Sequence, residues 1–182
     1  MRPLGATLQT VGDILVAKQG APCAPQRVGT NENILHSQVE RCTVKYLFKL
    51  FMALHVGLYR LSRGKLGGSI RGFKVLLLTT IGRKSGKAHT TPLGFFDRQG
   101  GYVIVASNGG QPTHPAWYHN LKSHPQVTVQ VFDQVIPVTA EVLAGEARAQ
   151  AWQQVITTAP AYANYEKQTT REIPLVLLHP GK

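Results

Sequence analysis

Three strand-like runs, Val75–Ile81, Lys87–Phe96 and Tyr102–Ala106, follow one another with only a handful of residues between them. A parallel connection needs about a dozen residues or more to cross over, so runs this close can pair only as antiparallel neighbours, as a meander. The first run, VLLLTTI, is almost continuously apolar and reads as a buried strand. The second contains Pro92, which has no N–H for a ladder and therefore places that strand at an edge or a bulge.

Two further segments, Val127–Phe132 and Val135–Val142, alternate well enough to extend the meander, and Ile173–His179 supplies a last strand. Helical patterns cover His114–Lys122, with Pro115 at its first position, and Glu146–Thr157, which has an acidic residue in its first turn. Strands outnumber helices and no internal repeat is visible. The expected class is α+β, mainly β: a β-barrel with flanking helices.

Residues 1–43 are poorly patterned and form an N-terminal extension expected to be mobile or loosely docked, while 44–182 form a single domain. The extension does not read as a secretory leader, because no early cationic region precedes an apolar run and a small-residue cleavage site. Cys23 and Cys42 match no metal spacing and read as free thiols of a reducing cytoplasm.

Val44–Ser62 is amphipathic. Val44, Leu47, Phe48, Phe51, Leu54, Leu58 and Leu61 share a broad apolar face, and Lys45, Lys49, Arg60 and Arg63 line a narrow stripe opposite. Two readings stand open: the apolar face packs on the barrel and leaves a solvated cationic face, or the helix lies on an anionic membrane or lids an apolar substrate site. Charges interrupt it too often for a membrane span.

The formal net charge is +11, and its excess is confined to one half: residues 1–98 hold 15 basic and 4 acidic side chains, residues 99–182 hold 5 of each. An anionic partner follows, whether nucleic acid, a membrane surface or a small polyanion. Within the basic half, Gly82-Arg83-Lys84-Ser85-Gly86-Lys87 connects the first two strands. It is not a nucleotide P-loop, since one residue is missing between the glycines and Ala88 stands where Ser or Thr is required. The backbone N–H groups of such a tip can still cradle an anion, with Arg83, Lys84 and Lys87 adding charge-assisted bonds.

His114, His119 and His124 recur every five residues, about 140° apart on a helix, so they do not share a face and no metal is expected. No nucleophile elbow or carboxylate pair is visible, which disfavours hydrolysis. A cationic pocket with aromatic walls and no evident acid or nucleophile suits a redox enzyme whose cofactor carries the chemistry.

Gly82-Arg83-Lys84-Ser85-Gly86, Thr91-Pro92-Leu93, Ala106-Ser107-Asn108-Gly109-Gly110, Pro115-Ala116-Trp117-Tyr118 and Asn120-Leu121, in this order, resemble the deazaflavin-dependent nitroreductase family of actinobacteria. Leu66-Gly67-Gly68 and Ile173-Pro174 also fit, so the resemblance runs from about Leu47 to His179. It implies a split β-barrel of the FMN-binding type that uses coenzyme F420, an 8-hydroxy-5-deazaflavin with a phosphate and several glutamates in its tail. The reduced cofactor would pass a hydride to a small electron-poor acceptor such as a quinone, nitroaromatic or enone.

Carried over by motif, Arg83, Lys84 and Ser85 would hold the tail, with Lys87 a further cation. His89, Thr90, Thr91, Pro92, Leu93 and Gly94 would wrap the linker and ring edge. Val105, Ala106, Ser107 and Asn108 would line the ring, and Ala116, Trp117, Tyr118, His119 and Asn120 would contact it. Tyr162 would reach cofactor or substrate, and the proton would come from solvent or from Tyr165 or Ser107. The family often has arginine at His89, some members have lysine at Asn108, and a tyrosine stands at Ala159 in a well-known one.

Two alternatives differ in partner: an FMN-dependent reductase on the same barrel, whose single phosphate needs no cluster of cations, and a non-enzymatic binder of nucleic acid or membrane. A single-strand binder should interleave aromatics with its cations, and Arg83 to Lys87 has none, so nucleic acid is not expected. The expected location is the cytoplasm; if the helix from Val44 takes the membrane reading, it adds peripheral contact with the inner face of the cell membrane.

Overall fold

The computed structural model describes residues 47, 50–70, 73–98 and 100–181. The expectations for residues 1–43, for Cys23 and Cys42, and for Val44, Lys45, Phe48 and Lys49 fall outside the described residues. A helix α1 (50–61) is followed by β1 (Ser69–Ile70), β2 (Phe73–Ile81), β3 (Ala88–Arg98) and β4 (Gly101–Val105). Then come α2 (Ala116–Ser123), β5 (Gln126–Val131), β6 (Gln134–Val142), α3 (Gly145–Thr158), α4 (Ala161–Lys167) and β7 (Leu175–Pro180).

Six of these strands close a barrel in the order β2-β3-β4-β7-β6-β5, with β5 returning to β2, and every pairing is antiparallel. The short β1 extends β2 outside it. Alternation decides which residues fill the interior. Leu76 and Leu78 of β2, Ile104 of β4, Val129 of β5 and Val176 and Leu178 of β7 point inward, and Trp117, Tyr118 and Leu121 of α2 complete the same core. Each of those fully buried aliphatic side chains contributes roughly 1.5–3 kcal/mol. The outward residues of β4 and β7, Val103, Val105, Leu175 and Leu177, pack under Trp152 and Val155 of α3. Strands covered on both faces read as continuous apolar runs, and β2 and β7 do so for that reason.

The barrel is not uniformly seamed. β3 pairs with β2 through residues Ala88 to Gly94, but with β4 only through Phe95 to Arg98. Pro92 therefore sits in the half of β3 that borders a single strand, as a residue without an N–H requires. This half-open stretch is the split.

Helix α1 corrects one of the two sequence readings. Its barrel side is formed by Tyr59, fully buried, and Val56, packed against Val75 and Leu77. The Tyr59 hydroxyl donates to the Val75 carbonyl at 2.8 Å and accepts from the Phe132 N–H at 2.8 Å, tying α1 to β2 and to the β5–β6 turn. The apolar face faces away from the barrel: Leu47, Leu50, Phe51, Leu54, Leu58 and Leu61 are all exposed. The packing reading is overturned because one large aromatic with two hydrogen bonds anchors the helix better than a row of leucines without a groove to enter. Among the described residues no helix is long and apolar enough to cross a membrane.

Helix α4, which carries Tyr162 and Tyr165, was not expected, being too short for a period to be read. Pro115 is the N-cap of α2 and not its first residue.

Candidate active site

The hairpin tip is closed by two backbone bonds, Gly82 N–H to Lys87 O and Gly86 N–H to Gly82 O, both 2.8 Å. Gly86 adopts φ 65°, where a side chain is costly. At Gly82 a Cβ would lie 2.5 Å from Ser85 Oγ and 2.9 Å from His89 Nε2, so both side chains would have to move aside. Ser85 Oγ and His89 Nε2 themselves approach to 3.4 Å, so the imidazole leans over the tip. Arg83, Lys84, Ser85, Lys87 and His89 are all exposed. Among the described residues none of the three tip cations forms an ion pair, so their charge is directed at solvent or at a ligand.

Further along β3, Thr90 bonds Thr79 at 3.0 Å and accepts from Arg60 of α1 at 3.3 Å, so α1 reaches the edge of the split. Thr91, Leu93 and Gly94 are half-buried and Pro92 buried along the open half. A Cβ on Gly94 would stand 3.9 Å from the Tyr162 hydroxyl, which places Tyr162 over the split. Its ring meets Phe96 edge-on at 6.1 Å and Tyr165 at 5.8 Å. Burial, with Tyr165 adding to it, pushes the Tyr162 hydroxyl up to about 12.

After β4, Val105, Ala106 and Ser107 are buried, and Asn108, Gly109 and Gly110 run through three successive left-handed conformations (φ 49°, 60° and 73°). Asn tolerates that region better than a long side chain, and Asn108 Nδ2 holds the Thr113 carbonyl at 2.8 Å. Gly110, at φ 73°, is strained for any side chain, and a Cβ there would also crowd Gln168 Cβ at 3.0 Å and the Tyr165 carbonyl at 3.3 Å.

The helix expected to contact the ring divides. Trp117 and Tyr118 are buried in the barrel core, and Asn120 is buried with its amide engaged, donating to Thr80 Oγ1 and accepting from Arg83 N–H, each at 3.1 Å. Ala116 and His119 remain accessible. His114 and His119 come together, contrary to the spacing argument: their rings are 5.9 Å apart, because His114 precedes the helix and its rotation does not apply. Both imidazoles are held below the ordinary histidine value, His114 by burial, then Arg171, His119 and Lys122, and His119 by burial, then Arg83 and Lys122. Among the described residues no group of three or more His, Cys, Asp or Glu side chains is placed to hold a metal.

Sequence reasoning missed Arg171. It lies just before β7, yet bonds the loop after β4, and nothing in the neighbouring residues signals partners so far upstream.

A flat heteroaromatic with an anionic tail fits this arrangement: an open strand edge with a left-handed loop after β4, and unpaired cations at one end. Residues 51–180 match the family described as F420H(2)-dependent quinone reductase. An F420H(2)-dependent quinone reductase of Mycobacterium tuberculosis is 37% identical over 144 residues, covering 77% of this chain and 97% of the relative. A shorter one from the same species, described as putative, is 33% identical over 105 residues, 58% of this chain and 88% of its own length. Among solved structures, an F420-H2 dependent reductase superposes with a TM-score of 0.54 at 43% identity, over 58% of this chain and 93% of its own. A second, described as a domain-swapped dimer, gives 0.56 at 35% identity over 81% and 98%. The match over nearly all of the described barrel, joined to the cationic tip and the split beside it, shows that this chain belongs to the F420H2-dependent quinone reductases, split-barrel oxidoreductases whose cofactor is coenzyme F420.

Proposed function

We propose that the cofactor lies along the open half of β3, its phosphate and glutamate tail on the tip and its ring against the loop after β4. The observation that carries this reading is the juxtaposition of three cations, without an ion pair among the described residues, with the half of β3 that β4 leaves open. Arg83, Lys84 and Lys87 hold the tail, with the Ser85 hydroxyl and, when protonated, His89 beside them. The run Thr90–Gly94 and residues Val105–Asn108 flank the ring, and Ala116 and His119 border it.

Coenzyme F420, bound in its reduced form, supplies the hydride. Tyr162 and Tyr165 cover the split and press an electron-poor ring such as a quinone flat against the cofactor, so that orientation provides much of the rate. With its hydroxyl raised to about 12, Tyr162 orients the acceptor's oxygen as a hydrogen-bond donor and keeps its proton. Tyr165 or Ser107 relays the completing proton from solvent. Ala159 is buried at the end of α3 and offers no aromatic wall, so two tyrosines remain to hold the acceptor, and quinones rather than nitroimidazoles are the acceptors expected.

The exposed leucine face of α1 supports a second, compatible element: peripheral docking on the anionic inner face of the membrane, where quinones dissolve. The basic excess of residues 1–98 favours that surface.

Fluorescence titration of the full chain with coenzyme F420, beside FMN, tests the main reading, followed by menadione reduction. Selective binding of the deazaflavin, weakened in Arg83→Ala and Lys84→Ala, supports it. Equal binding of FMN, or indifference to both substitutions, overturns it.

A further inference from the structure

The guanidinium of Arg171 has five N–H donors, and all five are used. Nε donates to the Gln111 carbonyl at 2.9 Å. One terminal nitrogen donates to the Ala106 and Ser107 carbonyls at 3.2 and 2.6 Å. The other reaches His114 Nδ1 at 3.0 Å and, more weakly, the Glu172 carbonyl at 3.5 Å. A single side chain thus grips the start, middle and end of the loop 106–114, across the left-handed run at Asn108–Gly110. Lysine, a point charge with three donors, cannot reproduce this fork.

The His114 contact carries a further consequence. A guanidinium only donates, so His114 Nδ1 must offer its lone pair and the neutral ring must carry its proton on Nε2. The ring is half-buried against Tyr118, at 4.9 Å between centroids. Arg171, Tyr118, His119 and Lys122 are the titratable or charged groups acting on it, and the three basic ones among them oppose its protonation.

We infer that Arg171 is a positioning residue for the reduction: it holds the ring-side loop in its catalytic shape and fixes His114 as a hydrogen-bond donor through Nε2. This rests on the reading that the loop after β4 lines the ring. An arginine serving stability alone would leave kinetics untouched in any variant that folds. A positioning arginine controls kcat, because the loop's placement matters after the tail has been gripped elsewhere.

The test uses the full chain. Histidine nitrogen NMR of the cofactor-free protein should show His114 protonated on Nε2 and bare on Nδ1, a readout independent of cofactor. In Arg171→Lys, checked for fold by circular dichroism and melting, kcat with menadione should fall at least about tenfold while KM for coenzyme F420 stays within about twofold. Where Arg171→Lys fails to fold, His114 decides. His114→Leu should lose about tenfold in kcat, and His114→Asn, whose amide can accept from Arg171 and still donate, should recover most of it. A proton on His114 Nδ1 would overturn the inference, as would kcat within about twofold of wild type in folded Arg171→Lys or in His114→Leu. A wild-type chain that binds no deazaflavin would instead sink the cofactor placement, leaving the NMR result to judge the Arg171–His114 pair.

Discussion

The backbone N–H of Arg83 donates to Asn120 Oδ1 at 3.1 Å, so the first cation of the tip is hung from helix α2. The same amide donates through Nδ2 to Thr80 Oγ1, also at 3.1 Å, inside the barrel wall. Asn120→Ala takes a partner from the buried Thr80 hydroxyl and from the partly buried Arg83 N–H and should cost about 1–3 kcal/mol, read as a lower melting temperature. It should also weaken deazaflavin binding in a fluorescence titration, although no charge has been removed.

The tip cations should act on affinity and not on folding. Arg83→Ala and Lys84→Ala each remove an exposed charge, so stability should change by no more than about 0.5 kcal/mol. Each lost charge-assisted bond should weaken the cofactor's Kd by roughly tenfold or more, with a shallower salt dependence. Unchanged Kd in both variants would move the tail elsewhere.

At alkaline pH the buried tyrosine should become visible. The Tyr162 hydroxyl is raised from 10.0 to about 12, so the folded state holds that proton more tightly than the unfolded chain. The stability it contributes is complete below pH 10 and is lost as pH climbs toward 12. Tyr162→Phe should show a smaller drop between those values, by at most about 2 kcal/mol in denaturant melts.

On the acid side the sign reverses. His114 and His119 titrate below their ordinary value of 6.5, so the unfolded chain binds protons that the folded chain resists. Their contribution is present above pH 6.5 and is lost as pH falls through the folded values. Melting temperature should fall from pH 7.5 to about 5.5, and by less in His114→Asn.

Helix α1 should bind vesicles. Sedimentation with anionic liposomes should pull down the wild type and not the zwitterionic control, and Leu54→Ser with Leu58→Ser should abolish it without lowering the melting temperature, since both side chains are exposed. Retained binding in that double variant would assign the surface contact to the basic charge alone.

The strands were legible because barrel walls leave their mark residue by residue. Leu76 and Leu78 alternate with Val75 and Leu77, and Pro92 announced the half of β3 that is paired on one side only. The cationic tip was legible from its glycines. The direction of α1 was not, because an apolar stripe says which face is greasy and not whether anything covers it, and Tyr59 outweighed the leucines. Long-range contacts left no trace either. Arg171 stands 57 residues from His114 and 65 from Ala106, and the meeting of His114 with His119 depends on where α2 begins.

β7 joins β4 to β6, and Arg171 lies four residues before it. A ribosome making this chain therefore releases β2 to β6 before the strand that unites them, leaving two open edges on the nascent polypeptide. Neither the barrel nor the loop that Arg171 grips can mature until residues 171–180 have left the exit tunnel. Closure of the barrel waits for that strand, and the interval before it is when this protein most needs protection from self-association.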